Sequence, residues 1–272
     1  MTASRAPLAS AADSTADQAR PLRVLTFNLQ VGISTHAWYQ YLTNSWQHLL
    51  PHSKRLERLT AIGQFLGHFD LVGLQEVDGG SFRSSNINQI DYLANKAGVP
   101  FHYQQLNRNL GRLAQHSNGL LSRYPPAHVD NHRLPGPPGR GVMHAQFGEG
   151  VDALHLLVAH LSLGLRAQKR QLDFLCDLMA PWRHIILVGD LNCTRAELEQ
   201  HTGLREAMNF DLVPERLSYP AWEPKRALDH ILISPTLRAE HAQVLPPMFS
   251  DHLPLAADIV LPPACRDLLV LR

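Results

Sequence analysis

Short apolar runs typical of β-strands alternate with amphipathic segments along most of this 272-residue chain, and that order decides its fold class. No low-complexity linker interrupts the alternation after the first twenty residues, and no repeat of fixed period is evident. We therefore predict a single α/β domain over residues 21–272, preceded by a disordered leader over residues 1–20.

Eight apolar runs are predicted to be strands. They are 22–27, 71–74, 119–121, 142–147, 154–159, 185–188, 228–233 and 254–260. Two segments, 54–66 and 166–179, carry apolar stripes at helical spacing, so each should pack against a sheet. Thr194 followed by Glu197 is a capping-box pattern, which predicts a short helix just beyond Asn192.

Charge and cysteine content exclude several classes of protein. Lys and Arg total 25 and Asp and Glu total 24, so the chain lacks the strongly basic footprint that polynucleotide binding often leaves. Its three cysteines have neither disulfide-framework nor zinc-knuckle spacing, which favours a reducing, cytoplasmic location. The leader lacks the apolar core of a signal peptide, and no apolar stretch approaches the ~20 residues that a membrane-spanning helix needs.

Polar residues recur where the predicted strands end. They are Asn28, Glu76, His160, the pair Asp190 and Asn192, and the pair Asp251 and His252. Any one of them alone is as readily explained as a turn former. A further carboxylate, Asp229, lies inside an apolar run and requires a partner, because burying an unpaired carboxylate costs several kcal/mol. Its neighbour His230 points to the opposite face of that strand and is interpreted as structural.

Seven short motifs that contain these residues occur in a fixed order. They are TFN at 26–28, LQE at 74–76, NGLLSRYP at 118–125, AHLS at 159–162, GDLN at 189–192, LDHI at 228–231 and SDH at 250–252. In this order they resemble the endonuclease, exonuclease and phosphatase superfamily of metal-dependent phosphoesterases. The resemblance implies a four-layer α-β-β-α sandwich, in which two packed mixed β-sheets are flanked by helices and the site lies at the rim of the sheets.

The resemblance also implies hydrolysis of a phosphodiester bond with Mg²⁺ or Mn²⁺, and a metal-ligand set of Asn28, Glu76 and Asp251. Asp190 would accept the proton of the attacking water, and Asn192, on the same strand face, would hold a phosphoryl oxygen.

A histidine dyad completes the predicted catalytic group. Asp229 is the expected partner of His252, fixing its tautomer and favouring the charged ring. His160 would face the site from another strand, as an acid or as a phosphate ligand. Members specialised for abasic DNA differ at His160, and they tend to have Asp where this chain has Gln30. Both departures argue against an abasic-site endonuclease.

Other hydrolase signatures do not occur in the sequence. There is no HExxH, GxSxG or P-loop motif. Cys193 is interpreted as a small buried side chain rather than a nucleophile, because nothing nearby in sequence explains a lowered pKa.

Two loops are candidates for substrate binding. The alternative interpretation is that they are only solvated polar loops. One holds Tyr103, Arg108, Arg112 and Asn118, and the other holds Arg140. Guanidinium and amide groups there would bind an anionic phosphoester substrate, either a nucleic acid or a phospholipid headgroup.

The substrate class stays open among nucleic acids, phospholipids or inositol-type phosphoesters, and phosphatase substrates. Residues 33–50 form an aromatic segment. Aromatic clusters of this kind can stack bases, insert at a membrane interface or cover the protein's own core, and covering the core is the commonest of these roles. A catalytically silent protein that binds a partner is the alternative from another class, although the candidate ligands, base and histidine dyad are all present.

Overall fold

The computed structural model describes residues 20–30, 52–81, 84, 86–109, 115–210, 213–246 and 248–269. Its strands are β1 Leu22–Asn28, β2 Leu71–Asp78, β3 Phe101–Asn109, β4 Gln115–Ser122, β5 His128–Arg133, β6 Gly141–Phe147, β7 Leu154–His160, β8 His184–Asp190, β9 Asp229–Ile233, β10 Arg238–Val244 and β11 Leu255–Val260. Its helices are α1 His52–Leu66, α2 Gln89–Ala97, α3 Leu165–Met179, α4 Arg195–Glu199, α5 Thr202–Ala207 and α6 Pro263–Arg266. The aromatic segment and Arg112 lie outside the described residues.

The strands form two mixed sheets. The six-stranded sheet has the order β10-β11-β1-β2-β4-β3, and the five-stranded sheet has the order β5-β6-β7-β8-β9. One strand pair in each sheet is parallel, β1 with β2 and β7 with β8, and the other pairs are antiparallel. These parallel pairs occupy the middle of their sheets and are buried along almost their whole length.

Apolar side chains fill three spaces between the layers. The inner faces of both sheets meet in one cluster that includes Val24, Leu120, Val158 and Val188. A second cluster joins α3 to the outer face of the five-stranded sheet, and a third joins α1 and α2 to the outer face of the six-stranded sheet. The four-layer sandwich predicted from the motifs is therefore confirmed.

All eight predicted strands and both predicted long helices are present. The capping box at Thr194 is also confirmed, with α4 beginning at the next residue. Three strands were not predicted, namely β3, β5 and β10. Each lies at the edge of a sheet, where one side faces solvent and the sequence is polar, so no apolar run marks it.

Within the described residues, no helix is both long and apolar enough to span a bilayer.

Candidate active site

The central strands of the two sheets bring their last residues together. Asn28 ends β1, His160 ends β7 and Asp190 ends β8, while Glu76 lies near the end of β2. Asp229 begins the antiparallel β9 and pairs in register with Asp190. Because parallel strands end at one edge of a sheet, a single rim of the sandwich gathers all five side chains.

Unusual backbone conformations orient these side chains. Glu76 has φ 56° and lies where the register of β2 against β4 shifts, so a β-bulge redirects its carboxylate. Asn192 has φ 51°, also in the left-handed region that non-glycine residues rarely adopt. Gly189 has φ 151°, and a Cβ there would lie 1.9 Å from the carbonyl oxygen of Ala159. Only glycine therefore lets β8 approach β7 closely enough to place Asp190.

Asp190 lies at the centre of the group and is buried. Its Oδ2 accepts a hydrogen bond from Asn28 Nδ2 at 3.0 Å, and its Oδ1 accepts one from the backbone N–H of Asn192 at 3.0 Å. The same Oδ2 lies 3.6 Å from Nε2 of His160 and 3.9 Å from Nε2 of His252. Burial raises the pKa of Asp190 to about 6, against the lowering effect of the nearby His252.

His252 forms a buried pair with Asp229. The Nδ1–H of the ring donates to Asp229 Oδ2 at 2.8 Å, and Ser218 Oγ donates to the same oxygen at 2.6 Å. The ring of Tyr219 packs against the imidazole, with centroids 4.8 Å apart. Burial alone would lower the pKa of His252, but the charges of Asp229 and Asp190 raise it well above the usual value. The ring is therefore held in its charged form.

His160 has the opposite character. The Arg140 guanidinium lies along its edge, with Nη1 2.7 Å from Nδ1 and 2.6 Å from Nε2. Burial, together with the charges of Arg140 and His252, holds the pKa of His160 well below its usual range, so this ring is neutral. Burial and charge thus keep one charged and one neutral histidine on either side of Asp190.

Glu76 and Asp251 add two more carboxylates. Asp251 is buried and accepts a hydrogen bond from Ser250 Oγ at 3.1 Å. Burial raises the pKa of Glu76, the charge of Arg140 opposes that shift, and the charge of Asp251 adds to it. Four carboxylates at this rim are thus opposed by two cations, Arg140 and His252.

A cleft of about 160 Å³ opens beside Glu76 and His160. Its walls include Arg108 of β3, Arg140 in the loop just before β6, and His116 of β4. Two of the predicted substrate-binding residues therefore line a space next to the carboxylates.

The structure does not bring Tyr103 and Asn118 to this cleft. Tyr103 packs against the cluster between the sheets. Asn118 is fully buried, and its Nδ2 lies within hydrogen-bond distance of Gln105 Oε1 and the Gly141 carbonyl oxygen, each at 3.0 Å. The position of Asn118 indicates that it joins the two sheets beneath the site.

Three residues of the site were missed by the sequence reasoning. Ser218 and Tyr219 lie in a loop without an apolar run, and only the fold shows that they contact the dyad. His116 lies on β4, directly opposite Arg108 of β3, and this register was not evident before the pairing was known.

His230 and Cys193 occupy structural positions. His230 is buried, with its Nε2 2.8 Å from the Cys193 carbonyl oxygen. The Cys193 thiol is buried as well, which raises its pKa to about 12 and leaves it unreactive.

Comparison with known proteins decides the family. The profile of the Endonuclease/Exonuclease/phosphatase family matches residues 25–252, which include every strand-end residue of the site. The chain belongs to this family. Its members are hydrolases that act on phosphoester bonds and generally depend on divalent metal ions.

A similar protein in Escherichia coli is described as the uncharacterized protein YbhP. It is 29% identical over 165 residues, which cover 54% of this chain and 63% of that protein. The match therefore spans less than two thirds of the curated relative's length.

Solved structures share the fold at low sequence identity. An endonuclease/exonuclease/phosphatase from Beutenbergia cavernae aligns with a TM-score of 0.67 and 19% identity, over 89% of this chain and 72% of that chain. A mannosyl-6-phosphatase from Bacteroides thetaiotaomicron aligns with a TM-score of 0.63 and 15% identity, over 88% and 100%. TDP2 of D. rerio, complexed with a single strand DNA product, gives 0.62 and 16%, over 88% and 98%.

Proposed function

We propose that the chain is a phosphodiesterase that depends on Mg²⁺ or Mn²⁺, with residues 21–272 as one catalytic domain. The observation that carries the proposal is the arrangement around Asp190. One buried carboxylate contacts Asn28 and lies within 4 Å of both a neutral and a charged histidine.

The donor set fits a hard divalent cation. Glu76 and Asp251 supply carboxylate oxygens, and Asn28 supplies an amide oxygen that already accepts the backbone N–H of Gln30 at 3.0 Å. The pKa of Glu76 is raised mainly because its carboxyl group is buried, and a bound cation would offset that cost. When bound there, the ion would offset charge on the phosphoryl oxygens.

Another group of three, Asp190, Asp229 and His252, has donor atoms within 4.8 Å of one another. It fits a cation less well, because Nδ1 of His252 donates to Asp229 and the charged ring repels a metal ion. Glu76, Asp251 and Asn28 are therefore the better ligand set.

Asp190 is placed to act as the general base. Each of its oxygens accepts one hydrogen bond, which leaves a lone pair to orient a water molecule. A pKa of about 6 keeps the carboxylate ionised at neutral pH while making it more basic than an exposed aspartate. Asn192 fixes the orientation of this carboxylate through its backbone N–H.

The two histidines have different proposed roles. The charged His252 would donate Nε2–H to a phosphoryl oxygen, with Asp229 holding the ring in place. The neutral His160 orients the phosphate group rather than supplying a proton. Arg140, which contacts His160 and lines the cleft, would bind a second phosphoryl oxygen.

Charge balance favours a diester substrate. Four carboxylates, two protein cations and one divalent ion leave the centre of the site near neutral. A phosphodiester carries one negative charge at neutral pH, whereas a phosphomonoester carries up to two. A near-neutral centre accommodates the smaller charge more readily.

The test compares bis(p-nitrophenyl) phosphate with p-nitrophenyl phosphate as substrates, in Mg²⁺, in Mn²⁺ and in EDTA. Faster cleavage of the diester in either metal, abolished by EDTA, is the expected result. Preference for the monoester would instead indicate a phosphatase. Absence of hydrolysis with every metal would support a silent binding protein and would overturn the proposal.

Asp130→Asn serves as a matched control in these assays. Asp130 also faces a buried histidine, His144, with Oδ2 4.0 Å from Nδ1, but its side chain is 64% exposed and lies on β5 outside the site. This variant should retain the wild-type rate, so a loss in Asp190→Asn would reflect the site itself.

A further inference from the structure

Two leucines protrude from the surface next to the candidate site. Leu163 and Leu165 are 78% and 70% exposed, although the preceding residues Leu161 and Ser162 are buried. Both leucines lie within five residues of His160: Leu163 is in the loop that leads from β7 to α3, and Leu165 is the first residue of α3. Exposing two large aliphatic side chains so close together leaves apolar surface in water, which a purely structural loop has no need to do.

These leucines border a shallow groove of about 780 Å³. Pro137 and Pro138 form its other apolar wall, and three arginines, Arg140, Arg166 and Arg170, line it as well. No aspartate or glutamate is among the described residues that line the groove. The surface therefore combines apolar area with a single sign of charge.

The arginines of α3 are available for an external partner. Within the part of the chain that the structure describes, neither Arg166 nor Arg170 forms an ion pair with a carboxylate. Lys169, on the same helix, does form one, with Nζ 3.0 Å from Asp173 Oδ2. The arginines facing the groove thus differ from the lysine beside them, whose charge is already matched.

We propose that this surface, formed by Leu163, Leu165, Arg166 and Arg170, docks the protein on an anionic lipid bilayer. An anionic bilayer complements both the apolar area and the positive charge of this surface. Its acyl region accepts aliphatic side chains, and its headgroup phosphates pair with guanidinium groups. Phosphate pairing and leucine insertion would occur together, because the two leucines and the two arginines all line the same groove.

The side chains favour lipid over nucleic acid as the partner. Protein surfaces that bind single-stranded nucleic acids present aromatic rings on which the bases stack. The described lining of this groove contains no aromatic side chain. Leucine side chains gain little against a phosphate backbone, whereas they gain transfer free energy in an apolar layer. The test must therefore distinguish binding to lipid from salt-sensitive binding to a nucleic acid.

Docking in this orientation would place the cleft at the membrane. Pro138 and Arg140 line both the groove and the cleft beside Glu76, so the two spaces adjoin. Lipid headgroups would then lie next to the carboxylates. That those headgroups are also substrates rests on the proposed hydrolysis, but docking itself does not.

Vesicle sedimentation of the full chain in EDTA tests docking without hydrolysis. Vesicles of phosphatidylglycerol mixed with phosphatidylcholine should sediment the protein, and pure phosphatidylcholine should sediment at least tenfold less. The variants L163S/L165S and R166Q/R170Q should each lower the partition coefficient at least tenfold. Val151→Ser is the matched control, because Val151 is 70% exposed in a turn outside the groove, and it should bind like the wild type.

Three results would overturn the proposal. They are no binding to the anionic vesicles, equal binding by the two double variants and the wild type, or an equal loss in Val151→Ser. If the protein binds a DNA or RNA oligonucleotide but not vesicles, and the double variants lose that binding, the surface binds nucleic acid rather than lipid. Hydrolysis of soluble bis(p-nitrophenyl) phosphate by L163S/L165S should match the wild type, so failure of docking and failure of catalysis give separate readouts.

Discussion

Replacing Asp229 by Asn tests the proposed histidine dyad with little change in shape. The substitution removes one negative charge from a buried oxygen that accepts hydrogen bonds from His252 Nδ1 at 2.8 Å and from Ser218 Oγ at 2.6 Å. The amide oxygen can replace this carboxylate oxygen, so both hydrogen bonds can persist with a neutral acceptor. The principal change is that His252 loses the carboxylate that most favours its charged form.

The expected magnitude follows from the two interactions that weaken. A hydrogen bond to a charged group contributes about 1.5–3 kcal/mol and a neutral one about 0.5–1.5, so roughly 1 kcal/mol is lost directly. A ring that is neutral in Asp229→Asn also forfeits its attraction to the phosphate, which at 4 Å and an effective dielectric constant of 20 is at most about 4 kcal/mol. We therefore expect kcat/KM to fall between about fivefold and five-thousandfold.

The assay measures kcat/KM for bis(p-nitrophenyl) phosphate from pH 6 to 9, with circular dichroism to confirm folding. In Asp229→Asn the loss should grow as the pH rises, because His252 releases its proton at lower pH than in the wild type. Asp130→Asn is the control and should stay within twofold of the wild type. A folded Asp229→Asn protein that also stays within twofold across this pH range would refute the reasoning.

Three further predictions concern stability and metal binding. Gly189→Ala should destabilise the fold by more than about 3 kcal/mol in urea unfolding, since its Cβ would lie 1.9 Å from the Ala159 carbonyl oxygen. Burial lowers the pKa of both His144 and His155 to about 4, so the unfolded chain binds more protons than the folded chain below pH 6.5, and stability should fall as the pH drops from 6.5 to 4. Replacing both by Leu should flatten that dependence. Glu76→Gln should abolish the rise in melting temperature that Mn²⁺ gives the wild type.

The sequence was informative where a strand is apolar and ends in polar residues. Asn28, His160 and Asp190 each end an apolar run, and the structure places all three at one rim because their strands are central and partly parallel. Hydrophobic burial makes such strands recognisable, and strand direction then determines where their ends meet.

Contacts made across the fold were not predictable in the same way. Asn118 was expected to bind substrate because it neighbours arginines in sequence, but strand alternation turns it into the space between the sheets. Ser218 carries no sequence signal, since its contact with Asp229 depends on how a loop returns to β9. The three edge strands were missed because solvent on one side removes the apolar pattern that reveals a strand.

The rate at which Asp190→Asn hydrolyses substrate tests the central claim most directly. Asp190 is the proposed base, and its carboxylate lies within 4 Å of Asn28 and of both histidines. With Mg²⁺ or Mn²⁺ and bis(p-nitrophenyl) phosphate, the account predicts that a folded Asp190→Asn protein loses at least about a thousandfold in kcat, with little change in KM. Turnover within tenfold of the wild type would contradict it, because a neutral amide cannot accept the proton of the attacking water.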